Sequence, residues 1–136
     1  MNTSEDQNDI FPKGEKANAD YFTGTAWVNI LVPKDKTGNY SIGNVVFEPG
    51  CRNNWHTHPA GQTLIVIDGK GWYQEKDKPA RPLSKGDVTV IPPGLEHWHG
   101  ATKDSSLTHL AITNITKEGA VKWLQRVTDE EYDSIH

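Results

Sequence analysis

The chain has 136 residues, a formal net charge of -4 and a single cysteine, Cys51. That length suits one domain with its own buried core, and a lone cysteine excludes an internal disulfide framework. The acidic balance excludes a broad basic surface for phosphate backbones, so a small-molecule substrate is expected and a nucleic-acid partner is not.

Met1 to Asp9 is polar and acidic, without the basic start and apolar stretch of a signal peptide, which predicts a cytoplasmic location. Residues 1–20 lack sustained periodicity and read as a polar N-terminal arm, and residues 21–136 read as the folded domain. Glycine and proline then punctuate the chain at short intervals around pieces rich in Val, Ile, Thr and Trp, the pattern of an all-β domain. Strands are predicted at Thr25–Val32, Tyr40–Glu48, Asn54–His58, Gln62–Ile67, Gly71–Glu75, Asp87–Ile91, His97–Ala101, Leu107–Thr113 and Val121–Val127. Asp68-Gly69-Lys70-Gly71 predicts a tight hairpin turn, because glycine takes the positive φ that such turns demand. Leu64 to Ile67 is the longest apolar run, far short of the roughly 20 residues that cross a bilayer, so no membrane partner is expected. Thr128 with Glu131 forms the signature of a capping box opening a short C-terminal helix. Trp72 and Trp98, and the face of Val121, Trp123 and Val127, read as core or interface packing, with Cys51 a half-buried filler. Sheet edges that a barrel or sandwich leaves open, together with Ile10 and Phe11 in the arm, predict a homodimer in which the arm adds a strand to a neighbour.

Five of the six histidines fall into a pattern. His56 and His58, two apart in extended chain, point to one side of a strand, because side chains alternate with a period of two. If that side is inward, Gln62, Leu64 and Val66 share it on the next strand, His97 and His99 on a later one, and Leu107, His109 and Ala111 on the one after. A metal could take His56 and His58 together with a third imidazole from His97 or His99. Imidazole nitrogen suits manganese, iron, cobalt, nickel, copper and zinc, with an amide or carboxylate oxygen completing the site, so ligand type alone does not choose among them.

The spacing Gly50, His56-x-His58, Gln62, Gly69, followed by Gly86, Pro92-x-Gly94 and His97, resembles the paired signature of the cupins. The resemblance covers Ala26 to Ile112 and implies a single jelly-roll β-barrel with a divalent metal ion in its mouth. It implies His56, His58, Gln62 and His97 as the metal ligands. Gln62 stands where most cupins have glutamate, and Ala101 where many have asparagine. The strings WHTHPAGQTLIV, GWYQE, GDVTVIPPGLEHWHGA and LTHLAI look more specifically like the small cupins related to carboxymuconolactone decarboxylase, a group that includes manganese-dependent hydroxynitrile lyases. Within that group glutamine is a usual ligand, and His99 and His109 match pocket histidines with acid/base roles. Thr113 stands where those lyases have glutamine, and Gly43 where they have alanine, so the pocket wall differs.

The expected activity is a metal-dependent lyase or decarboxylase-like reaction on a small oxygenated metabolite, with manganese the leading ion and iron, nickel, cobalt or zinc the alternatives. His99 and His109 are the expected catalytic residues. Neutral Gln62 leaves the full charge of a divalent ion uncancelled, which favours an anion or the deprotonation of a bound hydroxyl. The competing readings are a ligand-binding or sensing cupin without turnover and a metal-dependent dioxygenase.

Overall fold

The computed structural model describes residues 9–135, so Met1 to Asn8 of the arm and His136 lie outside the described residues. Among the described residues, twelve strands and two short helices follow one another (β1 Glu15–Lys16, β2 Phe22–Thr23, β3 Ala26–Val32, α1 Lys34–Thr37, β4 Tyr40–Phe47, β5 Arg52–Asn53, β6 His56–Thr57, β7 Gln62–Glu75, β8 Arg81–Ser84, β9 Val88–Ile91, β10 His97–Ala101, β11 Leu107–Asn114, β12 Lys122–Trp123, α2 Asp129–Asp133). They pair antiparallel into a curled sheet whose eight-strand path runs β1-β3-β4-β11-β7-β10-β5-β2. The path is open: β1 and β2 end it without pairing to each other, so the sheet forms a half-barrel where a closed barrel is expected from the sequence. Described residues of the arm are used within the chain, since Glu15 and Lys16 pair with Val28 and Trp27 of β3.

The predicted hairpin at residues 68–71 is absent. Gln62 to Glu75 is one continuous strand that carries the chain from one half of the sheet to the other. Its first part pairs with β11 and β9, its last part with β10 and β8. Between them the register slips, with His109 opposite Val66 and Thr108 opposite Asp68, so that one residue of β7 is left over as a bulge. The extra residue reverses the alternation. Gln62, Leu64 and Val66 are buried before it, and Gly71 and Tyr73 after it.

Glycine serves the bend, and for reasons that a turn would share. Gly69 has φ +81°, and a side chain there would run into the carbonyl of Ser106; one at Gly71 would meet the carbonyl of Gly100. The positive φ and the close backbone approach are local facts, whereas continuation as a strand is decided by pairing with β8, β10 and β11.

Two clusters fill the interior. The larger contains Phe47, Leu64, Val66, Tyr73, Leu83, Ile91 and Leu107 inside the curl, with Cys51 among them. Burial of Cys51 is complete rather than half, and it pushes the thiol pKa up to about 12, which leaves the side chain a protonated, unreactive filler. The smaller cluster lies on the opposite face of β10, where Trp98 packs with Trp55, Val127 and Tyr132. It fastens the C-terminal segment across the sheet. Thr128 caps α2 in the expected box with Glu131, the Tyr132 hydroxyl donates to the carbonyl of Ala101 at 2.6 Å, and buried Arg52 donates to the carbonyl of Val127 at 2.9 Å.

Replacing Gly69 by alanine forces a left-handed backbone on an L side chain and a clash with Ser106, and should cost about 1–3 kcal/mol or more. Urea unfolding should show a lowered midpoint with an unchanged slope; a midpoint equal to that of the parent would refute the bulge as the reason for this glycine.

Candidate metal centre

β6 with the residue that follows it, β10 and β11 bring five histidines to the concave side of the sheet, all of them buried: His56, His58, His97, His99 and His109; β7 adds Gln62. The alternation rule works here because β10 and β11 keep a regular two-residue period, with His97, His99 and Ala101 on one face and Leu107, His109 and Ala111 on another. His97 lies directly opposite His56 in the β10–β6 ladder, and their rings stand 4.2 Å apart.

Three of these rings are pinned by main chain. His56 Nδ1 lies 2.7 Å from the carbonyl of Asn54, His58 Nδ1 2.8 Å from that of Ala120, and His97 Nδ1 2.9 Å from that of Leu95. A carbonyl oxygen only accepts, so each Nδ1 carries the proton and each neutral ring presents Nε2 as a lone pair. Gln62 is fixed in the same sense, since its Nε2 donates to Thr113 Oγ1 at 2.9 Å and its Oε1 is left as an acceptor. His58 Nε2, His97 Nε2 and Gln62 Oε1 are buried with no hydrogen-bond partner among the described residues. Buried acceptors without a donor are costly alone, and a cation is one partner that such a set accommodates.

One nitrogen from each of His56, His97 and His99 lies within 4.8 Å of the others, a tri-histidine cluster able to coordinate a divalent metal ion. His99, expected for proton transfer, therefore stands close enough to belong to a ligand set, whereas His58 is outside that trio, its ring centre 4.9 Å from that of His56 and 5.4 Å from that of His97. His99 Nδ1 also lies 3.2 Å from His109 Nε2, and His109 Nδ1 is buried without a partner among the described residues.

Electrostatics favours neutral imidazoles. Burial lowers the pKa of His97 and of His109 to about 4, and pushes those of His56 and His99 well below the ordinary value, with the neighbouring histidines adding to the effect. For His58 burial again outweighs its bond to Ala120. Unprotonated rings are the metal-binding form.

Four of the five histidines, with Gln62 and Thr113, open onto a cavity of about 190 Å³, below the usual size for a drug-like ligand. Its remaining wall is apolar or neutral, built from Val28, Val45, Phe47, Ala111 and Trp123 among others, with no charged side chain. Gly43 and Thr113, the two positions where the resembled lyases differ, both line it.

Sequence reasoning missed Asn53, whose Oδ1 accepts from the backbone N–H of His99 at 2.9 Å and whose Nδ2 lies 3.4 Å from the His99 ring nitrogens. It also placed Trp123 in packing alone. Trp123 stacks on Tyr21 with ring centres 4.7 Å apart and lies 4.8 Å from His56, closing the site from the C-terminal segment. Asn53 lies outside the predicted strands, and the predicted face of Val121, Trp123 and Val127 carried no sign that it adjoins the histidines. Trp98, by contrast, sits in the second core cluster as expected, and Trp72 packs against that cluster.

A half-barrel of antiparallel strands with clustered histidines on its concave face describes a small metal-binding β-domain. The family model for the cupin domain matches residues 43–113, just over half of the chain, and the chain belongs to that family. It is 44% identical over 117 residues to an (R)-mandelonitrile lyase from Granulicella tundricola, covering 86% of this chain and 89% of the relative. A cupin-like protein from Thermotoga maritima has 52% identity and a TM-score of 0.88 over 92% of this chain and 95% of its own. A predicted oxalate decarboxylase from the same organism shares the fold at 20% identity, with a TM-score of 0.66 over 81% of this chain and 91% of its own.

If the buried acceptors await a cation, binding it should stabilise the fold by mass action. Manganese at a hundred times its Kd should raise the melting temperature by roughly 10 °C, reversed by a chelator. A melting curve indifferent to divalent metal would contradict a cation site.

Proposed function

We propose that this cupin is a metal-dependent lyase, or an enzyme of decarboxylase-like chemistry, acting on a small oxygenated metabolite in the manner of a hydroxynitrile lyase. His56, His58, Gln62 and His97 are the proposed ligands of a divalent ion, manganese first among the candidates. His99 and His109 are the proposed acid/base pair. In the same reading the protein is a cytoplasmic homodimer.

The observation that carries this reading is the division of polar groups within one buried cluster. His58 Nε2, His97 Nε2 and Gln62 Oε1 are acceptors without donors, and beside them His99 and His109 form a hydrogen-bonded pair with a spare ring nitrogen. A divalent ion held by the first set supplies Lewis acidity, which lowers the cost of negative charge on a substrate oxygen. The second set handles the proton. His109 Nδ1 is free to accept it, and the 3.2 Å contact lets the two imidazoles share the resulting charge. With a cyanohydrin, the pair takes the hydroxyl proton as the carbon–carbon bond to cyanide breaks, the carbonyl forms, and the proton returns to cyanide. The apolar wall of Val28, Val45, Phe47 and Trp123 suits the hydrocarbon part of such a substrate and excludes water from it. Similarity over 86% of the chain to an (R)-mandelonitrile lyase supports the same chemistry.

The trio of His56, His97 and His99 favours a second reading, in which three imidazoles hold iron for oxygen chemistry. One experiment separates the two. Protein purified without added metal is analysed for its metals, then assayed on mandelonitrile and for oxygen uptake. The lyase reading predicts manganese, cleavage of mandelonitrile, and a loss of about 100-fold or more in rate for His109→Ala with metal content unchanged. Iron with oxygen uptake and no cleavage would establish the other, and manganese-loaded protein inert on mandelonitrile would refute the hydroxynitrile version.

A further inference from the structure

The side chain of Gln62 has several torsions and an amide whose two ends differ only in polarity, so nothing in its own chemistry decides which end faces the histidines. In the structure the nitrogen end is committed to β11. Gln62 and Thr113 are direct partners in the β7–β11 ladder, both buried, and the amide nitrogen donates to the Thr113 hydroxyl at 2.9 Å. Tying the nitrogen end to β11 turns Oε1 into the site, where it meets no donor among the described residues. Reversed, the amide would aim its N–H groups at the histidines, satisfy their lone pairs and oppose a cation. Thr113 lines the same cavity, and valine would match its shape there, so the hydroxyl is the part that requires explanation.

We infer that Thr113 is a positioning residue for metal binding, its hydroxyl holding the Gln62 amide so that Oε1 faces the ion. This rests on the reading of Gln62 as a ligand. It also gives a physical role to a position at which the chain departs from the lyases it resembles: a hydroxyl from β11 orients the ligand there. Loss of an orienting partner of this kind typically weakens metal binding by about 10- to 100-fold.

The test measures manganese affinity of the full chain by competition with a chromogenic chelator, for the parent, Thr113→Val, Thr113→Ser, Gln62→Leu and the double variant Thr113→Val/Gln62→Leu. Circular dichroism verifies folding, and Thr113→Ala replaces the valine variant should that one not fold. The expected result is a loss of about 10- to 100-fold for Thr113→Val, affinity close to the parent for Thr113→Ser, and a double variant no weaker than Gln62→Leu alone. Parent-like affinity in Thr113→Val with weakened Gln62→Leu would overturn the positioning role and leave the ligand reading standing. Independent, additive losses would overturn it as well, because Thr113 would then act other than through Gln62. Parent-like affinity in Gln62→Leu would remove the ligand reading itself and the inference with it.

Discussion

A backbone carbonyl cannot donate, and that constraint organises the centre of this protein. Wherever a buried histidine places Nδ1 on a carbonyl, its other nitrogen can only accept. Three histidines are held this way, through Asn54, Ala120 and Leu95. With Gln62 turned by Thr113 in the same sense, the concave face gathers lone pairs and supplies no proton to satisfy them. Burial reinforces the arrangement by holding the rings neutral, so the site cannot relieve itself by charging at ordinary pH. A divalent cation would satisfy these groups together.

The fold supplies that arrangement from several distant pieces. The carbonyls that pin His56 and His97 each come from two residues upstream in the same strand or turn, so these rings are oriented almost as soon as the local chain is formed. His58 depends instead on Ala120, which arrives with the C-terminal segment. That segment is fastened by Arg52 on Val127, by Tyr132 on Ala101 and by the cluster around Trp98, and it also brings Trp123 over His56. Completion of the site is thereby coupled to closure of the C-terminal half of the molecule.

What the sequence made legible was whatever obeys a short period or a fixed spacing. The all-β character, the inward faces of β10 and β11 and the capping box at Thr128 all follow from local rules. Elements decided by remote partners were not legible. Asp68 to Gly71 has the composition of a hairpin, yet β11 and β10 hold it extended and use its glycines for a bulge and a close approach. β8 was missed because Pro82 and Arg81 argue against a strand, although an edge position that pairs only with β7 tolerates both. Within the site, alternation gathered five histidines without dividing them into ligands and proton carriers. The proposed division rests on which ring nitrogen meets a carbonyl and on how close His99 stands to His56 and to His109, which alternation does not encode.

The measurement that bears most directly on this account is a crystal structure of the manganese-loaded protein with the ion located by its anomalous scattering. One ion bound by His56, His58, His97 and the oxygen of Gln62 is expected, with His99 and His109 still hydrogen-bonded to each other and unligated. An ion bound by His56, His97 and His99, with Gln62 turned away, would contradict it.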